Sequence, residues 1–146
     1  MTNPRLVVGA AILRGHGGAV EVLAAQRLAP PELAGRWEFV GGKVDAGESD
    51  HQALQRECFE EIGVELAVGD RIGADVGIGS NGFVLRVWLA RITRGQPSPT
   101  EHSELRWLSP STLYDVDWLP ADLPIVAALH ALWRAGDVVE SPVPSS

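Results

Sequence analysis

Between Gly42 and Val64 the chain reads Gly-Lys-Val-Asp-Ala-Gly-Glu-Ser-Asp-His-Gln-Ala-Leu-Gln-Arg-Glu-Cys-Phe-Glu-Glu-Ile-Gly-Val, a loop dense in carboxylates that runs into a helix. Glu57, Glu60 and Glu61 stand at i, i+3 and i+4, so a helix presents all three on one face, with Cβ atoms about 5–6 Å apart. Like charges at that spacing destabilise a helix unless something positive sits among them. The donors are hard oxygens without a His or Cys pair, which selects Mg²⁺, with Mn²⁺ as a substitute, over zinc or copper.

The same stretch predicts its own boundaries. Ser49 can cap the helix and Gln52, three residues on, completes a capping box. Gly63 supplies a left-handed C-cap. Leu54, Cys58 and Ile62 recur at i, i+4 and i+8, an apolar stripe that would seat the helix on a sheet. Arg56, one turn before Glu60, is placed to pair with a helix or loop carboxylate and to hold the acidic set in geometry. Glycines at 41, 42 and 47 let the loop backbone bend close to a metal or a phosphate.

Around this centre the chain reads as alternating strands with few helices. Leu6–Leu13 and Val20–Gln26 are β-rich and separated by a Gly15-His16-Gly17-Gly18 turn, which predicts a hairpin or a close relative. Trp37–Val40 is a short apolar run. Phe83–Ile92 is the clearest later strand, Leu66–Ile78 is strand-like with interrupting glycines, and Glu104–Leu108 is a last short strand. Leu123–Trp133 carries helical spacing. Two helices among strands predict a layered α/β domain.

The 146 residues fit one domain, read as 1–140, followed by a flexible polar, proline-rich tail at 141–146. A net charge of −7, from 12 basic and 19 acidic residues, lacks the basic footprint of a protein that binds DNA or RNA polymers. A small anion can still be held by a few placed cations. The single cysteine, Cys58, excludes an intramolecular disulfide and suits a buried role, so a reducing cytoplasm is the expected location. The N-terminal apolar run is too short to span a bilayer, and no membrane partner is expected. The oligomeric expectation is a monomer or homodimer.

The 42–64 stretch resembles the signature of the Nudix hydrolases, G-x5-E-x7-R-E-U-x-E-E-x-G-U with U apolar, and meets each position with Gly42, Glu48, Arg56, Glu57, Cys58, Glu60, Glu61, Gly63 and Val64. A Glu-rich helix is usually a solvated face laced with ion pairs. Such a face would not also require Gly42, Glu48 and Gly63 at fixed offsets. The resemblance implies the Nudix α/β/α sandwich, with a mixed β-sheet and the motif loop-helix on one side. It implies Glu57, Glu60 and Glu61 as Mg²⁺ ligands, with the Gly42 carbonyl and Glu48 completing the site.

The approach Trp37-Glu-Phe-Val-Gly-Gly-Lys43 narrows the resemblance to the MutT-like branch, which has proline where this chain has Val40. Losing that locked φ predicts a looser loop. By the same resemblance Arg27 and Lys43 are expected on the substrate phosphates, although either could be an ordinary surface cation. Glu101, six residues before Trp107, is similar to the branch's loop carboxylate, a further metal ligand or candidate base. Glu104 and His102 compete for that role, and His102 is expected to be an exposed loop histidine. Phe39 and Trp37 could stack on a base, with core filling as the default.

Asp122 matches the position at which the branch contacts the nucleobase, and it could equally be the N-cap of the following helix. An ionised Asp only accepts hydrogen bonds, which suits an exocyclic amine such as cytosine N4 and not guanine O6. The expected substrate is therefore CTP, dCTP or 5-methyl-dCTP, split to the monophosphate and pyrophosphate, with 8-oxo-dGTP as the main rival. ADP-ribose, a dinucleoside polyphosphate or a non-catalytic nucleotide-binding module are weaker readings.

Overall fold

The computed structural model describes residues 5–136; the tail expected at 141–146 lies outside them. Strands β1 (Arg5–Arg14), β2 (Glu21–Arg27), β3 (Trp37–Glu38), β4 (Val40–Lys43), β5 (Glu65–Ile78), β6 (Phe83–Arg94) and β7 (His102–Leu108) form one sheet among the described residues. Its main order is β3-β2-β1-β6-β5, with β4 on β1 and β7 on β2. The β1–β6 pair is parallel and the others are antiparallel, so the sheet is mixed.

Helix α1 (Asp50–Ile62) covers one face and α2 (Leu123–Arg134) the other. Central β1 is buried on both sides from Val8 to Leu13, which explains its run of small and branched apolar residues where a one-sided strand would alternate. Ala53, Leu54, Cys58 and Ile62 of α1 pack on Val8, Ala10, Ile12, Leu23 and Trp88. Ile125, Val126, Leu129 and Trp133 of α2 pack on the opposite layer with Trp37, Phe39, Val87 and Trp118. Each fully buried Leu or Ile contributes roughly 1.5–3 kcal/mol. The two layers hold the sheet between the helices and leave its β4 end open.

The caps of α1 match their sequence signals. Ser49 Oγ accepts from the Gln52 N–H at 3.1 Å, and Gln52 Oε1 accepts from the Ser49 N–H at 2.9 Å. Gly63 takes φ 76° and donates to the Phe59 carbonyl. Beyond it, Ser98 and Thr100 donate their N–H groups to the Ile62 and Glu61 carbonyls, satisfying the open C-terminal end of the helix. Arg86 joins Asp50 at 2.9 Å and Asp75 at 2.7 Å, tying the first turn of α1 to β5 and β6.

Two local expectations change and a third holds. The run 37–40 is two strands, with β4 passing through the glycine pair. Val40 is fully buried in β4 opposite Ala10, so the sheet fixes what a proline would otherwise lock, and no loose loop results. The glycine-interrupted 65–78 segment is a single strand that absorbs its irregularities as register shifts against β6.

Candidate active site

A cleft of about 790 Å³ opens at the β4 end of the sheet, within the size range of ligand sites. Its walls bring together Arg27, Phe39, Gly42, Lys43, Glu57, Glu60, Glu61, Glu101 and Asp122, nine residues singled out in the sequence. Glu48 and Arg56 stand directly behind the acidic wall.

Arg56 is the hub of that wall. Its Nε and Nη2 reach the two oxygens of Glu48 at 2.6 and 2.9 Å, and its Nη1 reaches Glu57 at 3.1 Å and Glu60 at 3.2 Å. Nη2 also donates to the Lys43 carbonyl, which locks the loop to the helix. The guanidinium beside Glu48 holds its carboxyl down at about 2. Glu48 is therefore occupied with Arg56 and with the Asp45 N–H, while Glu57, Glu60 and Glu61 face the cleft.

The three helix carboxylates differ in environment. Glu57 and Glu61 side chains are 15% and 17% exposed, whereas Glu60 is 57% exposed at the rim. Burial, with the nearby charges of Glu57 and Glu38, pushes Glu61 up to about 8. A Cβ at Gly42 would fall 2.3 Å from the Glu57 carboxyl carbon, so the glycine makes room for that carboxylate. At Gly41 a Cβ would fall 1.9 Å from the Val8 carbonyl oxygen, a close approach of two strands. Among the described residues no three His, Cys, Asp or Glu gather at ligand distance round one point, so the acids form an open wall and not a closed cage. The donors nevertheless fit a hard divalent ion, being all oxygen and including a carboxyl burdened by the repulsion of its neighbours.

Glu38, which the sequence did not single out, and His102, expected to be exposed, both line the cleft. His102 opens β7 with a side chain only 4% exposed, contrary to the expectation of an exposed loop histidine. The physical reason is a bulge: β7 pairs in step from Val22↔Leu108 to Gln26↔Glu104, then skips Ser103, so that Arg27 stands opposite His102. Across the strands, Glu38 accepts from Arg27 Nη1 at 2.9 Å through Oε1 and meets His102 Nε2 at 2.9 Å through Oε2. Arg27 thus reaches the cleft already paired to Glu38 and to the Ala29 carbonyl. The signal available in the sequence was the Glu beside Trp37 and the His beside Glu101, two polar residues flanking positions already singled out.

Asp122 occupies the N-cap position of α2 but makes no side-chain cap bond. It is buried, with the Phe39 N–H bonded to its carboxyl, and burial together with the Glu38 charge pushes its pKa well up. Burial thus favours the neutral form of a side chain expected as an ionised acceptor, and a neutral carboxyl has one donor and one acceptor. Two backbone bonds place it, Trp37 N–H to the Asp117 carbonyl at 3.0 Å and Leu119 N–H to the Trp37 carbonyl at 2.8 Å, which draw the 117–119 segment onto β3. Phe39 fills the core against Trp118, ring centroids 4.9 Å apart, and still borders the cleft. Lys43 lies over the Phe83 ring at 4.9 Å, and Glu101 is brought to the cleft mouth by the adjoining Thr100, which bonds the Glu61 carbonyl.

An α/β/α sandwich thus frames an acidic cleft between a glycine-pair strand and a carboxylate-bearing helix. A model of the NUDIX domain matches residues 3–129, and the chain belongs to the Nudix family of hydrolases. A Mycobacterium tuberculosis protein named "Putative 8-oxo-dGTP diphosphatase 2" is 47% identical over 86% of this chain and 87% of its own length. The Escherichia coli protein named CTP pyrophosphohydrolase is 39% identical over 88% of this chain and 93% of its own. The solution structure of the E. coli ORF135 protein is similar at a TM-score of 0.74 and 38% identity, covering 90% of this chain and 91% of that one. The chain is accordingly a Nudix pyrophosphohydrolase of the MutT-like kind. Among the described residues no helix is long and apolar enough to cross a membrane.

Proposed function

We propose that the chain splits a nucleoside triphosphate, CTP, dCTP or 5-methyl-dCTP first, into the monophosphate and pyrophosphate with Mg²⁺ bound by Glu57, Glu60, Glu61, the Gly42 carbonyl and Glu101, while Glu48, also expected as a ligand, is held by Arg56. Mn²⁺ is the expected substitute. Bound Mg²⁺ supplies an acidified water and screens charge on the attacking and leaving oxygens. The remaining work falls to the chain. Arg56, anchored by Glu48, keeps Glu57 and Glu60 at their stations. Arg27 and Lys43 bear on the phosphates, Arg27 as a planar fork and Lys43 as a point charge. Water forms a new P–O bond while the phosphoanhydride P–O bond breaks; the leaving phosphate oxygen takes the released electron pair, and the proton of the attacking water passes to a cleft carboxylate and on to solvent.

The observation that carries the base preference is the buried Asp122 in the cleft wall, where burial favours the protonated form. A neutral carboxyl accepts from cytosine N4–H and donates to N3, so one side chain reads that edge. The same donor removes the bar against guanine O6. That favours 8-oxo-dGTP as the second reading, along with the name of the 47% identical relative. Choosing 8-oxo-guanine over guanine needs a reader at the opposite edge of the ring, and the cleft that holds Asp122 offers apolar Phe39, Leu119 and Ala121 with Glu38 and Arg27 as the charged groups near Asp122.

Pyrophosphate release with Mg²⁺ across equal concentrations of CTP, dCTP, 5-methyl-dCTP, dGTP, 8-oxo-dGTP, dATP and ADP-ribose tests this. A cytidine optimum supports Asp122 as the amine reader; an 8-oxo-dGTP optimum overturns it. Glu60→Gln tests the metal assignment, with turnover expected to collapse while nucleotide binding survives. Unchanged turnover would refute it.

A further inference from the structure

We propose that His102 is a positioning residue that holds Glu61 through Nδ1 while Glu38 holds the ring through Nε2, linking the acidic wall to Arg27. The inference rests on the reading of Glu61 as a metal ligand. Three observations carry it. The ring is buried, and its Nε2 is fixed 2.9 Å from Glu38 Oε2. Its Nδ1 is buried without a hydrogen-bond partner and stands 3.7 Å from Glu61 Oε1. The second oxygen of Glu38 is bound to Arg27 Nη1, so the anchor of the ring is itself anchored.

Buried polar nitrogens in folded proteins are nearly always satisfied, and an orphan marks a position where a partner is brought in. Here the group it faces is a cleft carboxylate. A movement of about 0.8 Å would bring Nδ1 and Oε1 to ordinary hydrogen-bond distance, with Nδ1–H donating to the Glu61 carboxylate and Nε2–H donating to Glu38. Glu61 sits on a fixed helix, so that movement is a small rotation of its side chain. The ring is therefore a polar stop beneath Glu61 that limits where its oxygens can point. Metal-ligating carboxylates are commonly oriented by such a second contact, whose removal costs about 10–100-fold in metal affinity or activity. The bulge that skips Ser103 is what aims His102 inward.

The test is Mn²⁺ binding to the nucleotide-free chain, followed by electron paramagnetic resonance of free Mn²⁺, in wild type, His102→Ala, His102→Asn, His102→Gln and Glu61→Gln, with thermal melts of each. An Asn amide takes the place of Nδ1 and a Gln amide that of Nε2. Ala is expected to weaken Mn²⁺ binding about tenfold or more. Asn should restore part of that affinity and Gln less, at matching melting temperatures. Equal Mn²⁺ affinity in the Asn and Gln variants overturns the role, and that comparison stands even where the Ala variant fails to fold. Wild-type affinity in Glu61→Gln overturns the metal assignment and this inference with it. A weakened Glu61→Gln beside unaffected His102 variants removes only the role of His102.

Discussion

Arg56 grips Glu48 with two parallel bonds, Nε to Oε2 at 2.6 Å and Nη2 to Oε1 at 2.9 Å, and leaves Nη1 for Glu57 and Glu60. A planar fork can serve these four oxygens at once because its donors diverge in one plane. The loop before α1 and the second and third turns of α1 are locked together by this one side chain.

Lysine cannot reproduce that geometry, since it offers one point charge on a flexible stem. Arg56→Lys should fold and keep its net charge, yet lose about 10–100-fold in activity or metal affinity as Glu57 and Glu60 drift. Steady-state pyrophosphate release at increasing Mg²⁺ measures this. A variant with wild-type Mg²⁺ dependence would show that charge alone suffices.

The neighbouring glycines should fail in different ways. At Gly41 an added Cβ meets the Val8 backbone, which cannot yield without separating β4 from β1, so Gly41→Ala should melt several degrees below wild type or not fold. At Gly42 the added Cβ meets the end of the Glu57 side chain, which can swing away. Gly42→Ala should therefore keep its melting temperature and lose turnover. Thermal melts beside activity assays separate the two, and similar melting temperatures in both variants would contradict this contrast.

Asp122 makes stability depend on pH with a definite sign. Its folded pKa is raised by burial above the unfolded value of about 3.9. The stability it contributes is complete below the unfolded value and is lost as pH rises through the folded one, where a buried charge must form. Asp122→Asn carries no such charge. It should match or trail wild type near pH 4 and gain on it as pH rises toward 9, as read by melting temperature at each pH. A constant offset across that range would show that Asp122 does not retain its proton on folding. The same variant, assayed with dCTP and 8-oxo-dGTP, should change the ratio of the two; an unchanged ratio would remove Asp122 from base reading.

Helix α1 was legible because its determinants are local. Ser49, Gln52 and Gly63 act within a turn of themselves, and Leu54, Cys58 and Ile62 need only a period of 3.6 to find the sheet. The α/β/α layering followed from the family signature and the alternation of strand-like and helical runs, and the structure bears it out. Arg56 as the organiser of the carboxylates was legible for the same reason, since one partner lies a single helical turn away. Val40 was misjudged because its constraint comes from pairing with Ala10, thirty positions earlier in the chain.

By itself the sequence determined the helix that carries the acids, their set of hard oxygen donors and the family. Tertiary structure alone decided that a bulge on β7 turns His102 inward against Glu38, and that burial beside Glu38 raises the pKa of Asp122. Both depend on which strands lie side by side and on how little water remains between them. Neither quantity is carried by any short stretch of chain, because desolvation and cross-strand register exist only once the sheet has formed.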